Sequence, residues 1–339
     1  MRGAIVLQSS PVLSVVLPVY NGLPYLRQAV ESVLTQSFGN FELIVINDGS
    51  SDGSQELLES FDDPRLRIVQ QENRGLAAAL NIGIAQARGR YLARQDQDDI
   101  CLPGRFKKQV EFLDANADVM LLGTAAEIWE GSSRTERVMS HAIDRQALKF
   151  GLLFNNYFIH SSVMLCRSVF ERVGGYSEDT TRQPPEDYEL WSRIAREFNV
   201  ANLPDVLLAY REVPNSMSRT GDRPFVKNLV QICAENIAFT CGVEANAPEV
   251  LGLANLLHGR YDAVPGGAQL SQMEKLIETA ALAVGLEAGS ASPALERAKH
   301  QKIRETRYLF TDYRTGGMLG RAVRSSVGVA AKKLLRRAA

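Results

Sequence analysis

The chain has 339 residues, of which 45% are hydrophobic and 23% are charged. This length and composition are typical of a packed globular protein with one large domain or two, and they exclude an intrinsically disordered chain. Thirty-eight basic residues balance 39 acidic ones to a formal net charge of -1, which excludes a generally basic nucleic-acid-binding protein.

Strands and helices alternate along the first part of the chain. A nearly continuous apolar run at 12–19, rich in β-branched residues, predicts a strand buried on both faces. Apolar side chains at helical spacing follow from Leu26 to Leu34. Further strands are predicted at 41–46, 66–69 and 90–94, with helices between them. This alternation is typical of an α/β protein with a parallel sheet.

Polar turns follow three of these strands, at 20–22, 47–53 and 96–99. A parallel sheet binds its ligand at the carboxyl ends of its strands, so we expect the chemistry at these turns. The chain has no G-x-G-x-x-G after the first strand, no G-x-x-x-x-G-K-[ST] loop and no G-x-S-x-G elbow. Dehydrogenases, P-loop nucleotide hydrolases and serine hydrolases are therefore disfavoured.

The acidic turn Asp96-Gln97-Asp98-Asp99 comes directly after the predicted strand at 90–94. Its three carboxylates repel one another unless a cation or hydrogen-bond donors compensate them. Mg²⁺ or Mn²⁺, held by one or two carboxylates and completed by phosphate oxygens, meets that requirement. The alternative is a solvated acidic turn ahead of the next helix.

A second acidic pair, Glu186 and Asp187, follows two prolines at the start of a predicted helix. A carboxylate there is suited to act as a general base on a hydroxyl nucleophile. The alternative is that both acids only stabilise the helix through its dipole. His160, ahead of a predicted strand at 161–165, is a further candidate, and its alternative is a core histidine with satisfied hydrogen bonds.

Taken in order, these segments resemble glycosyltransferase family 2, a group of inverting, sugar-nucleotide-dependent enzymes with the GT-A fold. The resemblance implies a Rossmann-like, mostly parallel sheet flanked by helices, in a GT-A domain at 1–220. A C-terminal region at 221–339, rich in alanine, leucine and glutamate, is predicted to be mostly helical. The resemblance rests on the segments 15–21, 44–53, 73–81, 87–89, 96–99, 160–163, 174–176, 186–188 and 210–211.

The resemblance implies a nucleotide-binding role for residues near the first two strands. Pro18, Tyr20, Asn21 and Asp48 match the positions that hold the nucleotide base and ribose. The Asp48 carboxylate can accept a hydrogen bond from the N3–H group of uracil or thymine, which favours a UDP- or TDP-sugar donor. Arg74 lies in a further donor-binding segment.

The resemblance also implies roles for both acidic segments. Asp96 and Asp98 match a D-x-D pair, whose Mn²⁺ or Mg²⁺ bridges the donor diphosphate, so Asp96 counts among the donor-binding residues as well. Asp187 matches the catalytic base and Glu186 its orienting partner.

These roles predict a glycosyltransferase that moves a sugar to a saccharide acceptor, free or lipid-linked, in surface polysaccharide or glycan assembly. One alternative is a polyprenyl-phosphate glycosyltransferase of the same fold, whose acceptor oxygen is already anionic. The other alternative is a catalytically inactive nucleotide-sugar binder. Asp98 and Asp187 disfavour the inactive protein because both carboxylates are retained.

Two residues depart from the family pattern. Asn47 replaces the first of two usual aspartates, although Asp48 keeps the base-contacting position. Val213 stands where many relatives carry a histidine that contacts the metal or diphosphate, and valine has no lone pair to donate. Glu212 is the alternative ligand nearby, but its side chain is expected to point the other way in an extended segment. Metal use is therefore expected to be weaker or altered.

No acidic residue follows Asp312, whereas seven basic residues do. Apolar side chains from Leu319 to Leu334 share one helical face, which predicts an amphipathic segment that can lie on an anionic membrane surface. The alternative is a helix packed on its own protein, or a frayed tail.

The chain shows no sign of export. It has no apolar run long enough to span a bilayer, and Gln8 to Pro11 interrupt the apolar start too early for a signal peptide. Its four cysteines are too sparse for a disulfide framework or a zinc site. We expect a cytoplasmic protein, with peripheral contact to the inner face of the membrane and homodimer formation as further hypotheses.

Overall fold

The computed structural model describes residues 10–213 and 223–316. The strands are β1 Leu13–Val19, β2 Phe41–Asp48, β3 Leu66–Gln71, β4 Tyr91–Arg94, β5 Ile100–Cys101, β6 Val119–Glu130, β7 Ser133–Met139, β8 Met164–Cys166 and β9 Asn199–Glu212. The helices are α1 Leu26–Leu34, α2 Ser54–Glu59, α3 Leu76–Gln86, α4 Arg105–Ala115, α5 Arg145–Leu152, α6 Val169–Val173, α7 Glu186–Glu197, α8 Arg223–Cys241, α9 Pro248–Leu257, α10 Leu270–Glu287 and α11 Pro293–Arg314.

Over the described residues the strands form one mixed sheet in the order β3-β2-β1-β4-β8-β6-β9-β5, with β7 paired to β6. The pairs β1–β2, β1–β4 and β2–β3 are parallel. The pairs β4–β8, β5–β9, β6–β7 and β6–β8 are antiparallel. The predicted alternation is confirmed for the parallel half, where the carboxyl ends of β1, β2 and β4 lie side by side.

The parallel half is held by apolar burial and by close packing of α3. Every residue of β1 and β2 is buried, as expected for strands that are covered on both faces. Gly83 of α3 lies against Val16 of β1, where an added Cβ would stand only 2.3 Å from Val16 Cγ1. A side chain at residue 83 would therefore force α3 away from the strand.

A buried carboxylate, Glu42, ties β2 to the segment before β4. It accepts hydrogen bonds from Ser14 Oγ at 2.8 Å and from Arg88 N and Nη2 at 2.9 and 2.7 Å. Arg67 Nη1 donates a further bond at 3.0 Å. Burial raises the pKa of Glu42, but the hydrogen bonds from Arg88 and Ser14 outweigh burial and hold it below its ordinary value. The segment around Arg88 therefore has a structural role.

Three expected element boundaries were wrong. Strand β3, expected at 66–69, continues to Gln71 because Asn47 pairs with Gln70 and Asp48 with Gln71. Strand β2 continues to Asp48 instead of ending at residue 46, because Asn47 pairs with Val19 and Asp48 with Gln71. The strand expected at 161–165 begins later, since His160–Ser162 form a 3₁₀ turn ahead of β8. The Ser162 hydroxyl donates to the Ile159 carbonyl at 2.8 Å, a local bond that favours a turn over a strand.

The chain divides into two compact units that interleave along the sequence. The first comprises Met1–Met139, Phe158–Glu178 and Leu203–Pro214, and the second Ser140–Tyr157, Asp179–Asn202 and Asn215–Ala339. Helices α5 and α7 thus group with the C-terminal helices, because α7 packs on α5 and α8, and α5 packs on α10 and α11. The domain limit expected at residue 220 stays a prediction, since packing units and family domains are different divisions.

The second unit is helical, as expected for the C-terminal region. Its apolar core includes Phe150 of α5, Phe154 of the turn that follows α5, Leu253 of α9 and Ile277 of α10. Tyr188 of α7 is fully buried and donates from Oη to the Leu152 carbonyl at 2.9 Å.

Within 10–213 and 223–316, no helix is both long and apolar enough to cross a membrane. The expected basic amphipathic segment from Leu319 to Leu334 lies outside the described residues.

Candidate active site

The turn after β1 is fixed through its backbone. Four successive N–H groups, from Tyr20 to Leu23, each donate to a side chain of another segment at 2.9–3.0 Å. The acceptors are Gln97, Ser50, Ser54 and Asp52. Gln97 Nε2 also donates back to the Tyr20 carbonyl at 3.2 Å. Gln97, whose role no sequence pattern indicates, therefore joins the first turn to the acidic turn.

Three expected nucleotide-binding residues lie in or beside this turn. Pro18 is buried inside β1, opposite Ile46 of β2. The Tyr20 side chain is 50% exposed. Asn21 adopts a left-handed backbone (φ 51°), and its Oδ1 accepts from Ser51 N at 2.9 Å. Asparagine tolerates that conformation better than most residues, which explains the sharp turn.

Asp48, at the end of β2, is only 3% exposed and organises the loop before α3. Its Oδ1 accepts from Gln71 Nε2 at 2.5 Å and from Arg74 N at 2.8 Å, and its Oδ2 accepts from Gly75 N at 2.9 Å. The Arg74 side chain is 58% exposed, and its Nη2 lies 3.5 Å from Glu178 Oε2. The Asp48 carboxylate therefore stabilises this loop by accepting hydrogen bonds, and its Oδ2 can accept one more.

The three carboxylates of the acidic turn lie together at the carboxyl end of β4, each offering an oxygen within 4.8 Å of the others. Asp96 pairs with the buried guanidinium of Arg94. Asp99 is 1% exposed and accepts from Ser161 Oγ and, at 2.7 Å, from Arg211 N. Asp96 and Asp98 are partly exposed, so they are the two that can face a ligand.

The crowding of these acids perturbs their protonation. Burial raises the pKa of Asp98 to about 6, and the neighbouring Asp96 charge adds to the effect. Burial also raises the pKa of Asp99 well above its ordinary value, with Asp96 and Asp98 contributing. Burial disfavours the charge of Arg94, but Asp96 outweighs it and raises the Arg94 pKa. Burial and mutual repulsion therefore disfavour the charged forms of Asp98 and Asp99, which a bound cation would favour.

This donor set fits a divalent cation. Hard oxygen ligands are those that Mg²⁺ and Mn²⁺ prefer, and one or two carboxylates commonly hold such an ion together with phosphate oxygens. Among the described residues, no side chain donates a hydrogen bond to the Asp98 carboxylate. Asp96 and Asp98 would hold the cation, whereas Asp99 is committed to Ser161 and Arg211.

Glu186 and Asp187 begin α7 in the second unit. Asp187 Oδ2 accepts from Asn156 Nδ2 at 2.7 Å, and its Oδ1 accepts from Tyr188 N at 2.7 Å. Glu186 is buried. Acids in the first turn of a helix are stabilised by its dipole, and that stabilisation is compatible with a catalytic role. Asn156 is a partner of Asp187 that the sequence did not indicate.

His160 resembles a core histidine more than a catalyst. Its Nε2 lies 2.9 Å from Tyr176 Oη, and the two rings are 5.6 Å apart. Burial and the nearby charge of Arg94 lower the pKa of His160 well below its ordinary value, so the ring is neutral at neutral pH. The structure therefore favours a core histidine with satisfied hydrogen bonds over a catalytic one.

Glu212, the alternative ligand beside Val213, has another partner. Its carboxylate accepts from Arg137 Nη2 at 2.7 Å and from Nη1 at 3.3 Å.

Comparison with known proteins assigns the family. The model of "Glycosyl transferase family 2" matches residues 14–174. EpsE of Bacillus subtilis (strain 168), which is named as a glycosyltransferase, is 30% identical over 232 residues, and the match covers 67% of this chain and 82% of EpsE. The chain belongs to glycosyltransferase family 2. An uncharacterised glycosyltransferase of Haemophilus influenzae is 29% identical to this family 2 enzyme over 266 residues, or 74% of this chain and 82% of the relative.

Solved structures confirm the fold. S. aureus TarS 1–349 in complex with UDP-GlcNAc is 18% identical with a TM-score of 0.58, over 90% of this glycosyltransferase and 92% of TarS 1–349. The mannosyltransferase PcManGT from Pyrobaculum calidifontis, in complex with GDP-Man and Mn²⁺, is 18% identical with a TM-score of 0.50, over 92% and 88% of the two chains. The predicted family, GT-A fold class and transferase activity are confirmed.

Proposed function

We propose that this glycosyltransferase transfers a sugar from a UDP- or TDP-sugar to a saccharide hydroxyl group, with inversion at the anomeric carbon. The observation that carries the proposal is the acidic turn, whose three carboxylate oxygens lie within 4.8 Å of one another. Gln97 bonds that turn to the backbone of Tyr20, beside the segment expected to bind the nucleotide. The complexes of TarS with UDP-GlcNAc and of PcManGT with GDP-Man and Mn²⁺ support such a donor site.

Residues of the first unit would bind and orient the donor. Asp48 Oδ2, which accepts a single bond from Gly75 N, would accept the N3–H group of uracil or thymine. Tyr20 and Asn21 would contact the base and ribose from the adjoining turn, and the exposed Arg74 guanidinium would add positive charge near the phosphates. A Mn²⁺ or Mg²⁺ ion on Asp96 and Asp98 would stabilise the negative charge of the nucleoside diphosphate leaving group.

Asp187 would be the general base. A sugar hydroxyl is too weak an acid to ionise near neutral pH, so its proton must move to a base as its oxygen attacks the anomeric carbon. The new bond joins that oxygen to the anomeric carbon, and the bond from that carbon to the diphosphate oxygen breaks. Asn156 and Tyr188 N hold the two carboxylate oxygens of Asp187, and Glu186 would help to orient it.

The test replaces Asp187 by asparagine, with Glu189→Gln as the matched control on the same helix. We expect D187N to lower kcat roughly hundredfold to ten-thousandfold, the usual size of general-base catalysis, while UDP affinity stays unchanged. Near-normal turnover of D187N on a saccharide acceptor contradicts the proposed base. Near-normal turnover on a polyprenyl phosphate favours the alternative acceptor, whose oxygen needs no base.

Two finer parts of the proposal rest on sequence and resemblance: a role in surface polysaccharide or glycan assembly, and a lipid-linked acceptor reached at the inner face of the membrane. The basic residues after Asp312 support the second part. Flotation of the full chain with anionic vesicles, but not with neutral ones, is the expected result. Equal recovery with both kinds of vesicle contradicts the electrostatic contact.

A further inference from the structure

Arg211 lies beside the acidic turn and contacts two of its residues. It lies near the end of β9 and is only 2% exposed. Its backbone N–H donates to Asp99 Oδ1 at 2.7 Å, and its Nε donates to the Asp98 carbonyl oxygen at 2.7 Å. The same residue therefore holds two members of the turn, one through its side chain and one through its backbone.

The guanidinium contacts four further groups. Nη2 donates to Gln28 Oε1 of α1 at 2.8 Å, and Nη1 donates to the Gly131 carbonyl between β6 and β7. The guanidinium carbon stands 4.1 Å from the centre of the Tyr25 ring and 5.5 Å from that of Trp129. Stacking on two aromatic rings and a fork of directed donors leave the side chain one position.

Burying this charge is unfavourable unless negative charge lies near it. Its side-chain hydrogen bonds go to two carbonyl oxygens and an amide oxygen, all formally neutral. The acids of the turn lie close to it, since Asp99 Oδ1 accepts from Arg211 N and the Asp98 carbonyl accepts from Nε, both at 2.7 Å. Arg211 therefore partly compensates the crowded carboxylates and leaves the side-chain oxygens of Asp98 available, since its guanidinium bonds the backbone of Asp98 rather than its carboxylate.

We infer that Arg211 is the positioning residue of the cation site: it fixes the backbone of the acidic turn so that Asp96 and Asp98 stand at the spacing that a divalent cation requires. The inference rests on the proposed function, in which these two aspartates hold the cation. A lysine cannot replace Arg211, because its single ammonium cannot reach Asp98, Gln28 and Gly131 in fixed directions at once.

The test measures cation binding rather than turnover. Mn²⁺ is titrated calorimetrically into the full chain in three forms: unchanged, Arg211→Lys and Arg211→Gln. Residues that orient metal ligands typically contribute about tenfold to hundredfold to metal affinity, and we expect a loss of that size for both variants, with the larger loss for R211Q. Arg65→Gln is the matched control, since Arg65 also donates to a backbone carbonyl, that of Leu34, and stacks on an aromatic ring, that of Phe41, without contact to the acidic turn, so its loss should leave Mn²⁺ affinity unchanged.

A second variant guards against loss of folding. Gln28 is exposed on α1, so Gln28→Ala should fold normally while it removes one anchor of Arg211. We expect Q28A to weaken Mn²⁺ binding roughly twofold to tenfold, as for the loss of one hydrogen bond.

A spectroscopic readout follows from Trp129. In a Trp191→Phe background, Trp129 is the single tryptophan of the chain. We expect diamagnetic Mg²⁺ to shift its emission, and the shift to vanish in R211K.

The outcomes separate the inference from the function on which it rests. Unchanged protein that binds Mn²⁺, with R211K, R211Q and Q28A binding it equally well, overturns the positioning role alone. Unchanged protein that binds no Mn²⁺, even with UDP present, overturns the proposed cation site and the inference with it.

Discussion

Replacing Asp48 by asparagine separates the structural role of its carboxylate from its proposed role in recognising the nucleotide base. Asp48 is 3% exposed and accepts three hydrogen bonds, from Gln71, Arg74 N and Gly75 N. An asparagine keeps one acceptor oxygen, so its amide group must face at least one backbone N–H donor. Losing one hydrogen bond to a charged group lowers the free energy of unfolding by about 1.5–3 kcal/mol.

The same substitution changes what the site offers to a nucleotide base. Uracil presents an N3–H donor, whereas cytosine presents a lone pair at N3. We therefore expect D48N to weaken UDP binding about tenfold to hundredfold, the same hydrogen-bond energy expressed as an affinity, and to weaken CDP binding much less.

Two measurements keep the roles apart. Urea unfolding gives the loss of stability, and calorimetric titration with UDP and CDP gives the change in base preference. Asp63→Asn is the matched control, because Asp63 accepts from Arg65 N at 2.9 Å before β3, away from the proposed base site. D63N should lose stability without any change in the UDP-to-CDP affinity ratio. An unchanged ratio in D48N refutes base recognition by Asp48, and unchanged stability refutes its structural role.

Three further predictions follow from the acidic turn, the buried Glu42 and Val213. Asp98→Asn, like removal of divalent cations by EDTA, should lower turnover at least tenfold, measured as donor consumption, and full activity in EDTA contradicts the cation site. The pKa of Glu42 in the folded protein lies below its ordinary value of about 4.5, so its carboxylate contributes its full stabilisation above that pH. This stabilisation is lost as the pH falls through the lower pKa of the folded protein. Glu42→Gln should therefore lower the free energy of unfolding by about 1.5–3 kcal/mol at pH 7 and flatten its acid dependence in urea melts, whereas a wild-type slope contradicts this reasoning. Val213→His should tighten Mn²⁺ binding in a calorimetric titration, because an imidazole nitrogen is a metal ligand and a valine side chain is not, and unchanged affinity places residue 213 away from the cation.

The parallel half of the sheet could be predicted because its signals are local. Buried β-branched runs, the turns after them and the helical spacing between them each lie within a few residues, and burial confirms them in β1 and β2. The acidic turn was predictable for the same reason, as three acids next to a strand end.

The remaining features depend on contacts between distant residues. Arg211 reaches the Asp98 carbonyl only because β9 enters the sheet more than a hundred residues later. In the sequence, Gln97 is a neutral residue between two acids. Its hydrogen bond from Tyr20 N becomes visible only when the fold places the end of β1 next to the end of β4. Asn156 likewise donates a hydrogen bond to Asp187, 31 residues later in the sequence, and no sequence motif links the two residues. No local pattern encodes such pairs, since each depends on which segments the fold brings together.

The backbone anchoring of the turn after β1 has a consequence for how donor preference can change among related enzymes. Four N–H groups from Tyr20 to Leu23 are held by side chains of other loops, so the path of the backbone does not depend on the side chain at residue 20. That side chain is half exposed and takes no part in the anchoring. If Tyr20 contacts the base as proposed, a single substitution there would alter that contact while leaving Asn21 and the acidic turn in place, so new donor preferences would arise without rebuilding the site.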